Sequence, residues 1–356
     1  MEGQTQDRKT GSVRLPLRVL VLTDGRPGHF NQSKGVLKAL AFHRQVQEQW
    51  VSVRLKAAAA RPVLSALLNV KSWKLGRRML GWCYELGELP DTAPDLILSA
   101  GGNTSFANCW LAREFGSRNL FVGEPRRLRA HCFWRCLTFV AREPSPPFVH
   151  WKVTPVPILP EEIQAEGDRY LFSAGLTGGV FWTLLVGGDG GGCQYSENDW
   201  KQLCAGLEAL ARREKIRWLI VTSRRTGSTA ERILSMFRGS PWVARLSLYS
   251  DDQGKHYRDF LGAGQRIVTT EDSHMMLTES VSTGRPVLCI RPQVAQPDWT
   301  GELFLNAYSE AGYIQRARIV DLAHEEFFWT PSRSSFQTPL CELGGLIDGW
   351  LRAEGV

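Results

Sequence analysis

An uninterrupted aliphatic run that ends in a glycine-containing turn is the strongest constraint on the fold. Leu17–Thr23 reads LRVLVLT, and residues 24–29, DGRPGH, follow it directly. A strand without polar alternation is buried on both faces, as in a parallel sheet. Apolar positions at helical spacing then predict a helix over about residues 31–40.

The same alternation of strands and helices recurs in both halves of the chain. Further strands are predicted at residues 50–55, 95–100, 119–123, 136–141, 181–186, 217–222, 265–270 and 286–290. Helices in the second half are predicted at about residues 196–213, 227–238, 273–283 and 301–311. Strands that alternate with helices predict βαβ units and mostly parallel sheets.

Length and a proline-dense segment predict two domains. A chain of 356 residues is too long for one ordinary core. Residues 143–160 contain EPSPP and TPVPILP, and proline sustains neither a helix nor a central strand. We therefore predict an α/β protein of two Rossmann-like domains that face each other across a cleft. The predicted limits are residues 14–155 and 156–338, with residues 339–356 forming a helix that packs back on the first domain.

Composition predicts a cytoplasmic protein without a metal site. The eight cysteines show no C-x-x-C pairing, which favours reduced, buried thiols. The polar N-terminus lacks the apolar centre of a secretory signal, and no apolar run reaches the roughly 18 residues of a membrane span. The net charge of +7 suits phosphorylated substrates or an anionic membrane surface. Nucleic acid is not a predicted partner, because no nucleic-acid module is recognised.

Two segments of the first half combine cations with aromatic and aliphatic side chains. They are KSWKLGRRMLGW at residues 71–82 and RRLRAHCFWR at residues 126–135. A helix of this composition can lie in a membrane interface, with its cations on anionic lipid. We expect peripheral association with the inner face of the membrane, while the alternative is an ordinary solvated basic face.

The turn after the first strand carries a candidate pair for proton transfer. Gly28 permits a close backbone approach, and Asp24 and His29 are predicted to face the ligand side. Histidine moves protons near neutral pH, and a carboxylate five residues earlier can orient it or take its role. The alternative is a helix-capping turn with an incidental histidine.

The first loop of the second half is unusually rich in glycine. Gly187, Gly188 and Asp189 begin a six-residue loop that contains five glycines. The loop lacks the Gly-Lys-Ser/Thr of a Walker motif and the strict dinucleotide fingerprint, which disfavours kinase and NAD-dependent functions. No bound cofactor is predicted. The density of glycine indicates that the backbone closely approaches another group.

A basic loop follows the next predicted strand. Ser223, Arg224 and Arg225 lie between that strand and a helix. Guanidinium–phosphate hydrogen bonds are charge-assisted, so this composition favours a diphosphate ligand. The alternative is a solvated basic turn in which at least one arginine faces water.

A third candidate segment in the second half combines a helix start with a carboxylate. Asp272 and Ser273 are predicted to cap a helix whose N-terminus points into the cleft. Glu279 lies nearly two turns further along, where its carboxylate could accept both hydrogen bonds from a ribose diol. The alternative for Asp272 and Ser273 is a capping role alone.

Loops in the first half are candidates for acceptor binding. Gly102, Asn103 and Glu124 follow predicted strands and would face an acceptor across the cleft. Two substrates brought together from two lobes suit a transfer reaction. Because no metal is predicted, arginines and helix N-termini would neutralise a diphosphate leaving group.

Four motifs in order give the sequence a family resemblance. DGRPGHxxQ, GGDGGG, SRRTG and TEDSxxMxxES…TGRPV, within residues 18–287, resemble the elongated-mitochondria (mitochondrial fission) family of proposed glycosyltransferases. That family is related in pattern to two-Rossmann GT-B glycosyltransferases such as the peptidoglycan N-acetylglucosaminyltransferase. The resemblance implies that Glu279 binds ribose and that His29 or Asp24 is the base. It also implies that Ser273, Arg224 and Arg225 bind the diphosphate.

Together these features predict a metal-independent glycosyltransferase. The predicted donor is a nucleotide-diphosphate sugar, UDP-linked by analogy, and the predicted acceptor is a glycan or a lipid-linked molecule. One alternative is a sugar-nucleotide epimerase or hydrolase on the same scaffold. Another is a non-catalytic adaptor that binds membrane or a partner, since the plant members of the family are associated with mitochondrial fission as recruiting factors.

Overall fold

Two sheets organise the chain in the computed structural model, which describes residues 15–71, 76–125, 127–139, 145–327 and 337–356. The first sheet contains β1 (Leu17–Thr23), β2 (Val46–Leu55), β3 (Tyr84–Leu86), β4 (Leu96–Ala100), β5 (Arg118–Val122), β6 (Arg135–Thr138) and β7 (Phe148–His150). Its order is β3-β2-β1-β4-β5-β6-β7, and each neighbouring pair is parallel except the antiparallel β2 and β3. The helices of this half are α1 (Pro27–Ala41), α2 (Ala60–Leu68), α3 (Arg77–Cys83) and α4 (Thr104–Phe115).

The second half builds a similar sheet. Its strands are β8 (Phe181–Val186), β9 (Cys193–Gln194), β10 (Arg217–Thr222), β11 (Val243–Ser247), β12 (Ile267–Thr270), β13 (Val287–Arg291), β14 (Val294–Ala295) and β15 (Gln315–Arg318). The parallel sheet has the order β11-β10-β8-β12-β13-β15, and β9 pairs separately with β14. The helices are α5 (Pro160–Ser173), α6 (Glu197–Glu214), α7 (Gly227–Ser235), α8 (Tyr249–Asp252), α9 (Tyr257–Ala263), α10 (His274–Val281), α11 (Trp299–Glu310) and α12 (Gln337–Ala353).

Both sheets have the strand order of a Rossmann-like domain. When the strands are numbered within each sheet, both orders read 3-2-1-4-5-6, with β7 added at the edge of the first. This confirms the predicted fold class of two Rossmann-like domains. Ligands of such sheets bind beyond the carboxyl ends of the strands, where the order reverses. The reversals lie between β1 and β4 and between β8 and β12.

Apolar layers cover both faces of the first sheet. Leu17, Val19 and Val21 of β1 pack in the same core as α1 and α12, whereas Leu20 and Leu22 belong to the core on the opposite face. Because both faces are covered, β1 is aliphatic without alternation.

The proline-rich crossing contains a strand that the sequence does not predict. β7 lies at the edge of the first sheet, where β6 is its one partner among the described strands. An edge strand tolerates neighbouring prolines because only one side takes part in the hydrogen-bonded ladder. The predicted division between residues 155 and 156 falls between β7 and α5. Residues 140–144 lie outside the described chain.

The C-terminal helix α12 packs on the first half of the chain. A Cβ on Gly344 would lie 1.9 Å from the carbonyl oxygen of Ala39 in α1, so the two helices are in close backbone contact. Leu343, Ile347 and Leu351 are buried in the core that contains β1. Residue 14, where the first domain is predicted to begin, and residues 328–336 lie outside the described chain.

The two segments predicted to contact a membrane have different surroundings. Trp134 contacts Trp350 of α12 with ring centroids 6.1 Å apart, and the Arg135 guanidinium lies 5.0 Å from the Trp350 ring. These side chains of the second segment therefore help to hold α12. In the first segment, Trp82 is 75% exposed. Residues 72–75 and Arg126 are not among the described residues. Across the part of the chain that is described, every helix is too short or too polar to cross a bilayer.

Candidate functional site

The reversal point of the first sheet places His29 against the loop after β4. Gly101 has a φ of +91°, and a Cβ there would lie 2.2 Å from the His29 ring. Glycine supplies both the backbone conformation and the space for the imidazole. The predicted helix start at residue 31 is wrong: α1 begins at Pro27, whose fixed φ suits a first turn. His29 therefore lies within the first turn of α1.

His29 and Asp24 are in direct contact. His29 Nδ1 lies 3.0 Å from both carboxylate oxygens of Asp24. The Asp24 side chain is 9% exposed, and one of its oxygens accepts a 3.2 Å hydrogen bond from the Arg26 backbone N–H. Because a carboxylate only accepts, Nδ1 donates, and Nε2 of the neutral ring can accept a proton. This is the arrangement that a general base requires.

A cavity of about 380 Å³ lies beside this pair, between the two halves. Its described lining residues are Arg26, Gly28, His29, Gln32, Phe139, Thr154, His274, Met275, Thr278, Thr300, Leu303 and Phe304. They include the first turns of α1, α10 and α11. Three helix N-termini thus meet at one cavity, and their dipoles and N–H groups favour an anion there.

His274 lines this cavity and was missed by the sequence analysis. Its ring lies on Phe304 with the centroids 4.4 Å apart. Burial lowers the pKa of His274, and nearby Asp298 offsets only part of this effect. A neutral imidazole is therefore expected at neutral pH. The only sequence signal for His274 is its place directly after the predicted cap, Ser273, since its partner Phe304 is 30 positions away in sequence.

The reversal point of the second sheet brings Asp272 against the glycine loop. A Cβ on Gly187 would lie 2.2 Å from the Asp272 carboxylate, which leaves no room for a side chain. Arg225 Nη2 donates a 2.6 Å hydrogen bond to the same carboxylate. Burial raises the pKa of Asp272, while Arg225 and the Gly188 N–H lower it. Three predicted loops therefore meet at one buried carboxylate.

Other predicted donor-binding residues shape the backbone around Asp272. A Cβ on Gly188 would lie 1.9 Å from the Arg225 carbonyl oxygen, so these loops are in close contact. Ser273 is the N-cap of α10, and its Oγ accepts from the Met276 N–H at 3.4 Å. Asp189 is exposed and accepts a 2.8 Å hydrogen bond from the Tyr195 backbone.

Arg224 and Arg225 have different surroundings. Arg225 pairs with Asp272. Arg224 is exposed, and it makes no hydrogen bond or ion pair with another residue in the described ranges. Ser223 Oγ accepts a 3.3 Å hydrogen bond from the Arg225 backbone. None of these side chains is among the described residues that line the 380 Å³ cavity.

Glu279 lies at the contact between the two halves. Its carboxylate accepts a 2.8 Å hydrogen bond from Asn31 Nδ2 of α1 and a 2.5 Å hydrogen bond from the Tyr257 hydroxyl. The residue is 8% exposed. Burial raises the pKa of Glu279, and the two hydrogen bonds oppose this rise. Both oxygens therefore already have partners in this arrangement.

The predicted acceptor-side residues are not all at the cavity. Gly28 lines it, and a Cβ on Gly28 would lie 3.2 Å from Met275 Cγ of the second half. Gly102, Asn103 and Glu124 are not among its described lining residues. Asn103 precedes α4, and its carbonyl accepts a 2.5 Å hydrogen bond from the hydroxyl of Tyr84.

The cysteines are all free thiols. Six are buried, as predicted, whereas Cys83, at the margin of a core of the first half, and Cys341, beside His43, are partly exposed. Within the described ranges, no three histidine, cysteine or acidic side chains are grouped so that they could hold a metal ion.

A family comparison decides the affiliation of the chain. The family described as mitochondrial fission ELM1 matches residues 27–335, which is most of the sequence. The chain belongs to the mitochondrial fission ELM1 family. The predicted resemblance is thereby confirmed. No curated protein is a significant match to this member of the family.

Solved structures with a similar fold share little sequence with this ELM1-family chain. A UDP-GlcNAc 2-epimerase from Neisseria meningitidis bound to UDP-GlcNAc has a TM-score of 0.56 and 13% identity, with 94% of this chain and 100% of that chain covered. The UDP-GlcNAc 2-epimerase from Methanocaldococcus jannaschii has a TM-score of 0.52 and 11% identity, with 95% and 100% covered. The E. coli ADP-heptose heptosyltransferase II has a TM-score of 0.48 and 13% identity, with 95% and 100% covered.

Proposed function

We propose that the chain is a glycosyltransferase that transfers a sugar from a nucleotide-diphosphate sugar to a glycan or lipid-linked acceptor, without a metal ion. The observation that carries this proposal is the position of the His29–Asp24 pair at a cavity that also receives the N-termini of α10 and α11. One side of this cavity offers a base, and the other offers positive helix ends. Both are needed when an acceptor hydroxyl displaces a diphosphate.

In the proposed reaction, His29 Nε2 takes the proton of the acceptor hydroxyl. The acceptor oxygen forms a bond to the anomeric carbon of the sugar as the bond from that carbon to the diphosphate oxygen breaks. Asp24 holds the ring through Nδ1 and stabilises the imidazolium that forms. The helix N-termini and Arg26 at the cavity stabilise the charge of the departing nucleoside diphosphate. Exposed Arg224, which is not among the described lining residues, is proposed to reach the diphosphate from the loop after β10.

Glu279 is the proposed ligand of the nucleotide ribose. Its carboxylate is already bonded to Asn31 and Tyr257, so a ribose diol would have to displace at least the Asn31 amide. Donor binding is therefore proposed to loosen this contact between the two halves. Asp272 is proposed to act through Arg225 and the glycine loop, because its carboxylate is buried among them.

Nucleotide binding tests the proposal directly. Isothermal titration of the full chain with UDP, GDP, ADP, CDP and TDP, with UDP first, is expected to show binding of at least one nucleotide. If none binds, the proposal is wrong. Incubation of the matching nucleotide-sugar without an acceptor gives a second readout. Conversion to an isomeric sugar nucleotide in this incubation would identify an epimerase. In a separate assay, full biological activity after replacement of His29 and Glu279 would identify an adaptor.

The membrane association is also a proposal. Exposed Trp82 and exposed Lys71 remain available to a lipid surface. Co-sedimentation with vesicles of phosphatidylcholine and phosphatidylglycerol is expected to exceed that with phosphatidylcholine alone. Trp82→Ser is expected to reduce it, and equal sedimentation of both proteins would remove this surface from the proposal.

A further inference from the structure

A larger groove adjoins the cavity beside His29. It has a volume of about 640 Å³ and shares Phe139, Leu303 and Phe304 with that cavity. The two spaces therefore adjoin each other at these side chains. A molecule whose reacting hydroxyl lies near His29 can extend into the groove.

One wall of the groove is an apolar stripe along α11. Trp299, Leu303, Ala307 and Ala311 line it at intervals of four residues, which places them on one helix face. All four are exposed, Trp299 by 71% and Leu303 by 38%. The 12 residues of α11 extend about 18 Å, at 1.5 Å per residue. This wall is long enough to accommodate an extended hydrocarbon chain.

A histidine and a lysine of the first half lie at the same groove. His150 and Lys152 line it from the first half and are exposed. Among the described residues, neither forms an ion pair. The acidic residue of the lining, Glu310, lies at the C-terminal end of α11, away from the end that faces the cavity. An anionic group is therefore favoured near Lys152 rather than near Glu310.

We infer that this groove binds the hydrocarbon chain of a lipid-phosphate-linked acceptor, with the phosphate near Lys152 and His150. The inference rests on the proposed function and specifies its acceptor. A glycan of the same length would need hydrogen-bonding partners along the stripe, and three of its four residues have none in their side chains. Asn306 also lines the groove, but its carbonyl oxygen already accepts a hydrogen bond from Arg316. A hydrocarbon chain instead gains from burial against Trp299 and Leu303.

Farnesyl phosphate is a suitable probe when it is used below its critical micelle concentration. Titration of the full chain is expected to show binding, whereas inorganic phosphate is expected to bind at least about tenfold more weakly because it lacks the chain. Farnesol is expected to bind about fivefold more weakly because it lacks the charge. Ala307→Glu and Trp299→Ala, which change only the groove wall, are each expected to weaken farnesyl phosphate binding about tenfold.

Lys152→Gln is expected to abolish most of the difference between farnesyl phosphate and farnesol. Phe172→Ala is the matched control, because Phe172 is 83% exposed and does not line the groove. The inference is overturned if the wild-type chain does not bind farnesyl phosphate, or if the groove variants bind it as well as the Phe172 variant does. Tighter binding of a short oligosaccharide at the groove would also overturn it.

Titration of the same proteins with the nucleotide panel separates this inference from the proposed function. Trp299→Ala and Ala307→Glu are expected to keep the nucleotide affinity of the wild-type chain, since neither residue lines the 380 Å³ cavity. Loss of lipid-phosphate binding with nucleotide binding kept would remove only the acceptor assignment. Absence of nucleotide binding with farnesyl phosphate binding kept would refute the transferase and leave a lipid-binding groove.

Discussion

Asn31 of the first half donates a 2.8 Å hydrogen bond to Glu279 of the second. This bond joins α1 directly to α10, and the two residues are 248 positions apart in sequence. It also occupies the carboxylate that the family resemblance assigns to ribose. The contact between the halves and the proposed donor site would therefore share one side chain.

Asn31→Ala is expected to tighten nucleotide binding. Removal of the amide releases one Glu279 oxygen, so ribose no longer competes with a protein donor, and the gain is about tenfold or less. The variant is also expected to lose about 1–3 kcal/mol of stability in the absence of nucleotide, because a buried acceptor loses its partner. Calorimetry and urea unfolding measure the two effects. The control is Asn69→Ala, whose amide donates a 2.9 Å hydrogen bond to the Arg127 carbonyl and which is not among the described residues of the 380 Å³ cavity. Unchanged or weaker nucleotide binding by the Asn31 variant would contradict the proposed competition.

Glu279→Gln is expected to change how stability depends on pH. Burial raises the pKa of Glu279 above its ordinary 4.5, so the folded chain holds this proton more tightly than the unfolded chain does. The contribution of Glu279 to stability therefore falls as the pH rises from 4.5 through the folded pKa, and it levels off above that value. Glutamine cannot ionise, so the stability of the variant relative to wild type should rise across this window. Urea unfolding at several pH values measures this difference. The control is Glu88→Gln, because Glu88 is exposed. If the free energy of unfolding depends on pH in the same way for the wild-type chain and the Glu279 variant, the expectation is wrong.

His29→Gln is expected to reduce transferase turnover about 10²- to 10⁴-fold while nucleotide affinity stays within about twofold. Glutamine keeps a donor toward Asp24 but cannot accept the hydroxyl proton as a base. The matched control is His256→Gln. His256 also contacts a carboxylate, Asp259 at 2.9 Å, but it is not among the described residues of the cavity. Equal turnover of both variants would show that His29 is not the base.

The limits of a strand can be predicted well from the sequence where an aliphatic run ends in a glycine-containing turn. The predicted limits of β1 and β8, residues 17–23 and 181–186, agree with the structure, and each run is followed directly by a loop that contains glycine. β15 was missed because QRAR is polar and lies at a sheet edge. The start of α1 was misplaced because Pro27 was assigned to the loop rather than to the first helical turn.

The candidate site was only partly predictable for a related reason. Asp24 and His29 are close in sequence, so their contact could be inferred from a short turn. The partners of Glu279 could not, because Asn31 comes from the other half and Tyr257 from a helix that was not predicted. Contacts of this kind depend on how two domains pack, which local spacing does not encode.

Gly101→Ala is expected to impair catalysis by displacing His29. Its Cβ would lie 2.2 Å from the imidazole, so the ring must leave its place against the loop after β4. The control is Gly116→Ala: Gly116 also has a positive φ, +67°, but nothing lies within 4 Å of its Cβ position. Both variants carry the backbone strain of alanine in this region, about 1–2 kcal/mol. Only the Gly101 variant should lose turnover, about a hundredfold. Equal turnover of the two variants would show that the His29 position does not depend on Gly101.

The two arginines after β10 are expected to differ in what they support. Asp272 is buried, and Arg225 lowers its pKa against the larger effect of burial. Arg225→Ala leaves that carboxylate without its cation, so it should cost about 1–3 kcal/mol of stability, and Asp272→Asn in the same chain should restore part of the loss. Exposed Arg224 has no described partner, so Arg224→Ala should leave stability within about 0.5 kcal/mol and weaken nucleotide binding about tenfold. Urea unfolding and calorimetry on the wild-type chain, the two single arginine variants and the Arg225→Ala/Asp272→Asn double variant separate these outcomes. Equal stability of the two single arginine variants would mean that the Arg225–Asp272 pair does not hold the glycine loop in place.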